Sequence, residues 1–93
     1  MTAAGAYAVE WTASARRALI SLPQKVATAA IELIYSTVAE NPHRAGRPLR
    51  FELEGLWSAR RGDYRVIYHV NELERLVAVV TISHRSDVYR RRG

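Results

Sequence analysis

The 93-residue chain carries 14 Lys and Arg against 9 Asp and Glu, giving a formal net charge of +5, and 48% of its residues are apolar. This length provides one hydrophobic core and excludes a second domain, and the lack of cysteine excludes disulfides and thiolate metal sites. No apolar run approaches the roughly 20 residues that span a bilayer, and no secretory signal pattern is visible, so we expect a cytoplasmic protein.

The positive charge favours a polyanionic partner. The kind of basic residue further indicates that this partner carries phosphate groups. Arginine supplies every positive side chain except Lys25. Its planar guanidinium grips phosphate at two points and stacks on bases, which lysine does not do. A GC-rich genome, whose codons favour arginine, is the alternative explanation of the same composition.

The first part of the chain predicts a strand followed by two helices. Alternation over 7–11 indicates a short strand, and Thr12 occupies the N-cap position of a helix over 13–21. Pro23 ends that helix and opens a second helix over 24–41, whose apolar residues fall on one stripe.

The middle of the chain predicts a connection with little regular structure. A residue before proline is pushed out of helical geometry, so the Asn41-Pro42 step ends the second helix. The stretch 42–50 predicts an exposed, basic loop. Alternation over 49–54 predicts a short extended segment with one face buried, which ends at Gly55.

Three strands in succession are predicted after Gly55, over 56–61, 64–70 and 76–83. Gly62-Asp63 joins the first two, and glycine in the first position indicates a type II′ turn. A second turn is expected over 71–74. The last strand is rich in valine and isoleucine, so we expect it to be central in the sheet.

Together these elements predict a single α+β domain over 1–93. Two N-terminal helices pack on one face of a twisted, mainly antiparallel, four-stranded sheet, and the other face stays open. The basic tail 88–93 is expected to be partly disordered.

Alternation along 64–70 predicts a basic strip on that open face. It directs Arg65 away from the core, near Arg60 of the neighbouring strand. Arginines on such a face bind phosphates, but solvated arginines on exposed strands are also common. For Arg65 the alternative is a salt bridge to Glu52 or Asp63.

Further candidate residues border this strip. His84, Arg85 and Tyr89 follow the last strand and are expected at the rim of the same face, although Tyr89 could instead pack its ring on the sheet. The arginines expected to bind nucleic-acid phosphates are Arg60, Arg61, Arg44, Arg47 and Arg50.

No cofactor chemistry is predicted. The three histidines, at 43, 69 and 84, lack metal-ligand spacing, and no phosphate loop or nucleophile elbow is present. His69 is expected to be a surface or cross-strand residue and not a catalyst. An enzyme with this sequence would act without a cofactor.

Two segments resemble the signature regions of the RelE toxin family in the RelE/ParE superfamily. They are GLWSARRGDYRVIY, from Gly55 to Tyr68, and ISHRSDVYR, from Ile82 to Arg90. With the helix pair and the Asn41-Pro42 loop, the similarity covers nearly the whole chain. The resemblance implies a microbial RNase fold and a toxin that cleaves messenger RNA in the ribosomal A site, without metal, through attack of the ribose 2′-hydroxyl.

The resemblance also implies roles for individual residues. Arg65 would hold the scissile phosphate, and Arg85 would stabilise the transition state or protonate the leaving group. Tyr89 would stack on a base or orient the nucleophile, and His84 could exchange protons at neutral pH. Ser58 departs from the family, which has a basic residue there, so activity could be reduced; Arg60 matches the family's other basic position on that strand.

An acidic antitoxin, RelB-like or similar, is implied as the partner that blocks the site, and the complex would bind operator DNA and repress its own operon. Two rival functions remain open. One is a ParE-like toxin that inhibits DNA gyrase, and the other is an inactive relative that serves as a co-repressor module.

Overall fold

The computed structural model describes residues 6–49 and 55–84, and within them five strands form one sheet accompanied by three α-helices. Residues 50–54 and 85–93, with most of the predicted segment 49–54 and the whole predicted tail, lie outside the described residues. The elements in chain order are β1 Ala8–Trp11, α1 Ala13–Ser21, α2 Gln24–Leu33, α3 Pro42–Ala45, β2 Arg47–Pro48, β3 Leu56–Arg61, β4 Tyr64–Asn71 and β5 Leu76–His84.

The sheet has the strand order β1-β5-β4-β3-β2, and this corrects the prediction of four strands. β1 is parallel to β5, with Ala8 opposite Leu76, whereas the other strand pairs are antiparallel. The connection from β1 to β5 runs through the helices and the three other strands, and a parallel pair requires a long connection of this kind. β5 is an interior strand, but β4 is the middle one.

The two predicted N-terminal helices are present, and their apolar stripes face the sheet. Thr12 caps α1, as predicted, by accepting a hydrogen bond from the Ala15 amide at 3.1 Å. The predicted helix 24–41 is shorter than expected as an α-helix. The α-helical part, α2, ends at Leu33, and a π-helical segment, Ile34–Val38, follows it directly. There the Ser36 hydroxyl donates to the Glu32 carbonyl at 2.6 Å and competes with the regular helical bonding.

The prediction of a loop over 42–50 was wrong for its first part. Asn41 caps α3 by accepting from the Arg44 amide at 3.2 Å, and Pro42 occupies the first turn, where its missing N–H is not needed. After Gly46, β2 pairs with β3 at the edge of the sheet. Among residues 6–49 and 55–84, no helix is long and apolar enough to cross a membrane.

The β3–β4 hairpin turns as predicted. Gly62 has φ +60°, and Asp63 is not among the described residues with positive φ, which fits a type II′ turn and not a type I′ turn. The helix-covered face of the sheet carries buried side chains that form much of the core: Ala59, Tyr64, Val66, Tyr68, Val77, Val79 and Ile82.

A β-bulge in β5 could not be foreseen from its apolar sequence. Tyr68 pairs with Val79 and Ile67 pairs with Thr81, so Val80 is left without a partner on β4. The bulge changes the alternation, and the buried positions run Val77, Val79 and then Ile82. Thr12, which lies outside the sheet, contacts the bulge: its hydroxyl lies 2.9 Å from the Val79 carbonyl and 3.1 Å from the Val80 carbonyl.

Candidate anion-binding site

The face of the sheet opposite the helix-covered face, called the open face, carries two adjacent arginines. Arg60 on β3 is directly opposite Arg65 on β4, and Arg65 is in turn opposite Ser83 on β5. Both arginines are exposed, whereas Tyr64 and Val66, on either side of Arg65, are buried. The predicted alternation is therefore confirmed, and the bulge in β5 brings Ser83, not Ile82, next to Arg65.

Two depressions meet at this pair of arginines. The first, the hairpin pocket, has a volume of about 340 Å³ and is lined by Arg60, Gly62, Asp63, Tyr64, Arg65, Ser83 and His84. The second, the arginine groove, has a volume of about 590 Å³ and is lined by residues 44–49 together with Ser58, Arg60 and Arg65. Arg60 and Arg65 belong to both, so the two depressions form one basic surface.

The arginine groove contains two further arginines predicted from the sequence. Arg47 in β2 is opposite Ser58, which places it on the open face and next to the row of Arg60 and Arg65. Arg44 reaches the same groove from α3. The structure therefore brings four predicted phosphate ligands together on one surface.

Two other candidates have a different placement. Arg61 and His84 are both opposite Tyr64, so the sheet register directs them to the helix-covered side and not to the side of Arg65. His84 is the last residue of β5, where the sequence predicted it after the strand, and it lines the hairpin pocket from the end of the sheet. Arg50, Arg85 and Tyr89 lie outside the described residues, as does Glu52, one of the two alternative partners of Arg65.

Sequence reasoning missed the part that Tyr64 takes in this region. The residue lines the hairpin pocket, but its hydroxyl is enclosed, and no described residue forms a hydrogen bond with it. Burial raises the pKa of Tyr64, and the charge of Glu32 adds to this effect while Arg61 opposes it. The phenol of Tyr64 therefore stays neutral. The sequence could not predict this role, because a tyrosine within a strand pattern looks the same whether or not its hydroxyl has a hydrogen-bond partner.

A second polar cluster lies away from the open face and holds α3 in place. The His43 Nε2 contacts a carboxylate oxygen of Glu72, and the His43 ring is edge-on to Trp57 with 5.1 Å between centroids. The Tyr7 hydroxyl donates to the same carboxylate at 2.8 Å, and the Arg75 guanidinium lies 4.3 Å above the Tyr7 ring. The hydrogen bond to Glu72 is the main cause that raises the pKa of Tyr7. The cluster joins α3 and the start of β1 to the β4–β5 turn.

The geometry of the open face is suited to an anion. Like charges directly opposite each other on neighbouring strands repel, and a phosphate between Arg60 and Arg65 would remove that repulsion. Guanidinium groups hold phosphate through paired charge-assisted hydrogen bonds. In the described part of the chain, no three His, Asp or Glu side chains converge as metal ligands. Fold and site thus define a small basic α+β protein with an exposed candidate anion-binding surface.

Comparison with known proteins identifies the family to which this chain belongs. The family model of the ParE toxin of type II toxin–antitoxin systems, parDE, matches residues 9–89. The chain is 49% identical over 84 residues to the toxin RelE of Mycobacterium tuberculosis, with 90% of this chain and 87% of the relative covered. It is 41% identical over 85 residues to the toxin RelG of the same organism, with 91% and 98% covered.

The fold is likewise similar to a solved structure. The crystal structure of the toxin–antitoxin complex RelBE2 from Mycobacterium tuberculosis contains a chain that matches with a TM-score of 0.84 and 39% identity, covering 86% of this chain and 99% of that one. The chain therefore belongs to the RelE/ParE superfamily of toxins from type II toxin–antitoxin systems.

Proposed function

We propose that this toxin is a ribosome-dependent endoribonuclease that cleaves messenger RNA in the A site and so inhibits translation and growth in the cytoplasm. The observation that carries the proposal is the Arg60–Arg65 pair, which lies where the hairpin pocket and the arginine groove meet. The 49% identity to a toxin named RelE supports the choice of this activity within the superfamily.

The chemistry requires three groups around one phosphate. The ribose 2′-oxygen loses its proton to a base and bonds to phosphorus, the bond from phosphorus to the 5′-oxygen breaks, and that oxygen takes up a proton. Extra negative charge accumulates on the phosphate oxygens between these events, and fixed cations lower its energy. Arg65, with Arg60 beside it, would supply these cations.

The proton transfers are assigned by resemblance to the RelE family. Arg85 would stabilise the transition state or protonate the leaving oxygen, and Tyr89 would stack on a codon base or orient the nucleophile. His84 would exchange protons, and its position at the edge of the hairpin pocket agrees with access to the reacting groups. No step in this proposal requires a metal.

An antitoxin would cover the same surface. The solved relative RelBE2 is a toxin–antitoxin complex, and an acidic partner of the RelB type would complement the net charge of +5 on this chain. The complex would then bind operator DNA through the antitoxin. Co-expression with the adjacent gene product should yield a stable heteromeric complex.

The decisive experiment measures cleavage of messenger RNA on programmed ribosomes by primer extension. Arg65→Ala should lower the cleavage rate by about 100-fold or more, the usual cost of removing one preorganised charge donor at a reacting oxyanion. Arg17→Ala, which removes an exposed arginine from α1, is the matched control and should cleave as the parent does. Undiminished cleavage by folded Arg65→Ala protein would remove this residue from the mechanism.

Inhibition of DNA gyrase is the second candidate, because the family model that matches residues 9–89 describes the ParE toxin. The two functions separate in one comparison. A gyrase inhibitor would block DNA supercoiling by purified gyrase and leave programmed ribosomes uncut, whereas the proposed nuclease would cut messenger RNA and leave supercoiling unchanged.

A further inference from the structure

The segment that supplies two of the four arginines of the arginine groove is fixed to the sheet by a buried hydroxyl. Tyr68 in β4 is completely buried, and its hydroxyl donates a hydrogen bond to the Pro42 carbonyl at 2.6 Å. Burial raises the pKa of Tyr68 to about 12, so the hydroxyl keeps its proton at neutral pH. This hydrogen bond therefore fixes the position of the first turn of α3 relative to β4, the middle strand of the sheet.

Close packing fixes the other end of the same segment. A Cβ atom on Gly46 would lie 2.5 Å from the Tyr68 hydroxyl oxygen and 2.6 Å from the Ser58 carbonyl oxygen. Such distances are well inside van der Waals contact, and the Ser58 carbonyl is backbone that cannot swing aside. Glycine at this position thus lets the chain lie directly on β3 and on the Tyr68 hydroxyl.

One arginine of the groove lies between the two fixed points, and another directly follows the second point. Arg44 lies between Pro42 and Gly46, and Arg47 follows Gly46 immediately. Arg47 then enters β2 opposite Ser58. Because both guanidinium groups start from a backbone that the sheet holds, they approach the groove from fixed positions and not from a free loop.

We propose that Tyr68 and Gly46 are positioning residues that set the places of Arg44 and Arg47, so that these bind RNA phosphates adjacent to the phosphate held by Arg60 and Arg65. The inference rests on the proposed function in its choice of RNA as the ligand. Phosphates are spaced regularly along a strand, so a cation held at the matching distance binds better than one on a mobile segment, which must first be ordered.

The test measures binding to a single-stranded RNA of 12 nucleotides that carries 2′-O-methyl groups, so that cleavage has no influence. Fluorescence anisotropy gives the affinity of the parent, of Tyr68→Phe, of Arg47→Gln and of the double variant. Tyr68→Phe should bind about threefold to tenfold more weakly, which corresponds to the loss of one hydrogen bond transmitted to the groove. Tyr35→Phe, an exposed tyrosine on the helical side of the protein, is the control and should bind as the parent does.

Coupling between residues separates positioning from general destabilisation. If Tyr68 acts through Arg44 and Arg47, Tyr68→Phe should weaken binding less in the Arg47→Gln background than in the parent, because the position of a missing guanidinium has no effect and only Arg44 is left to be displaced. The salt dependence should agree: a lost phosphate contact lowers the slope of log affinity against log salt by about 0.7 for a single strand. Tyr68→Phe should lower this slope, whereas a variant that is merely less stable, but folded at the assay temperature, should not.

Other results would overturn the inference. These are parental affinity in Tyr68→Phe, strictly additive losses in the double variant, or no RNA binding by the parent at all. Should Tyr68→Phe fail to fold, Gly46→Ala disturbs the same contact from the opposite side and should give the same coupling with Arg47→Gln. RNA binding with the expected coupling but without cleavage on ribosomes would contradict the proposed nuclease and leave this inference standing.

Discussion

The bulge in β5 leads to a prediction about Thr12, whose hydroxyl serves two elements at once. It accepts a hydrogen bond from the Ala15 amide, which caps α1, and lies within bonding distance of the carbonyls of Val79 and Val80 at the bulge. The change Thr12→Val keeps the shape of the side chain and removes all of these bonds. The Thr12 amide still donates to the Val79 carbonyl at 3.2 Å, so the Val80 carbonyl is the group that loses its donor from this residue.

The expected magnitude has two parts. Loss of an N-cap costs about 1 kcal/mol, and a partly buried carbonyl left without its donor costs about 1 kcal/mol more. The free energy of unfolding should therefore fall by about 2 kcal/mol. For a domain of this size, that corresponds to a decrease in Tm of about 8–16 °C.

Urea denaturation at neutral pH measures the decrease in the free energy of unfolding. Two control variants separate the contribution of the cap from the contribution of the bond to the bulge. Thr12→Ser keeps the hydroxyl and should cost less than about 0.5 kcal/mol. Asn41→Ala removes the cap of α3, where Asn41 accepts from the Arg44 amide, and touches no strand, so it should show the capping part alone. If Thr12→Val costs no more than Asn41→Ala, the bond to the bulge contributes nothing and the reasoning is refuted.

Two further predictions concern stability in other parts of the sheet. The folded pKa of Tyr68, about 12, lies above its ordinary value of 10.0, so the protonated phenol stabilises the fold below pH 10 and this stabilisation is lost as the pH rises towards 12. The loss amounts to at most about 2.7 kcal/mol, and alkaline denaturation of Tyr68→Phe should lack it; equal pH dependence in both proteins would contradict the assignment. Gly62→Ala places a side chain at φ +60°, where nothing lies within 4 Å, so it should cost about 1–2 kcal/mol through backbone strain alone, and thermal melting without a loss would show that the turn relaxes freely.

The sequence by itself determined the elements whose signals are local. The cap at Thr12, the proline between the helices and the Gly62-Asp63 turn each act within a few residues, and the structure has them where they were predicted. The same holds for the exposure of Arg65, because strict alternation along β4 fixes the face of every residue on that strand.

Contacts between distant parts of the chain decided the rest, because a local pattern says nothing about which segment will lie beside it. The parallel pairing of β1 with β5 and the docking of α3 on Tyr68 depend on segments far apart in sequence. Within β5 no local signal marks Val80 as the bulged residue, and the register that leaves Val80 unpaired is the one that buries Ile82 and brings Ser83 beside Arg65.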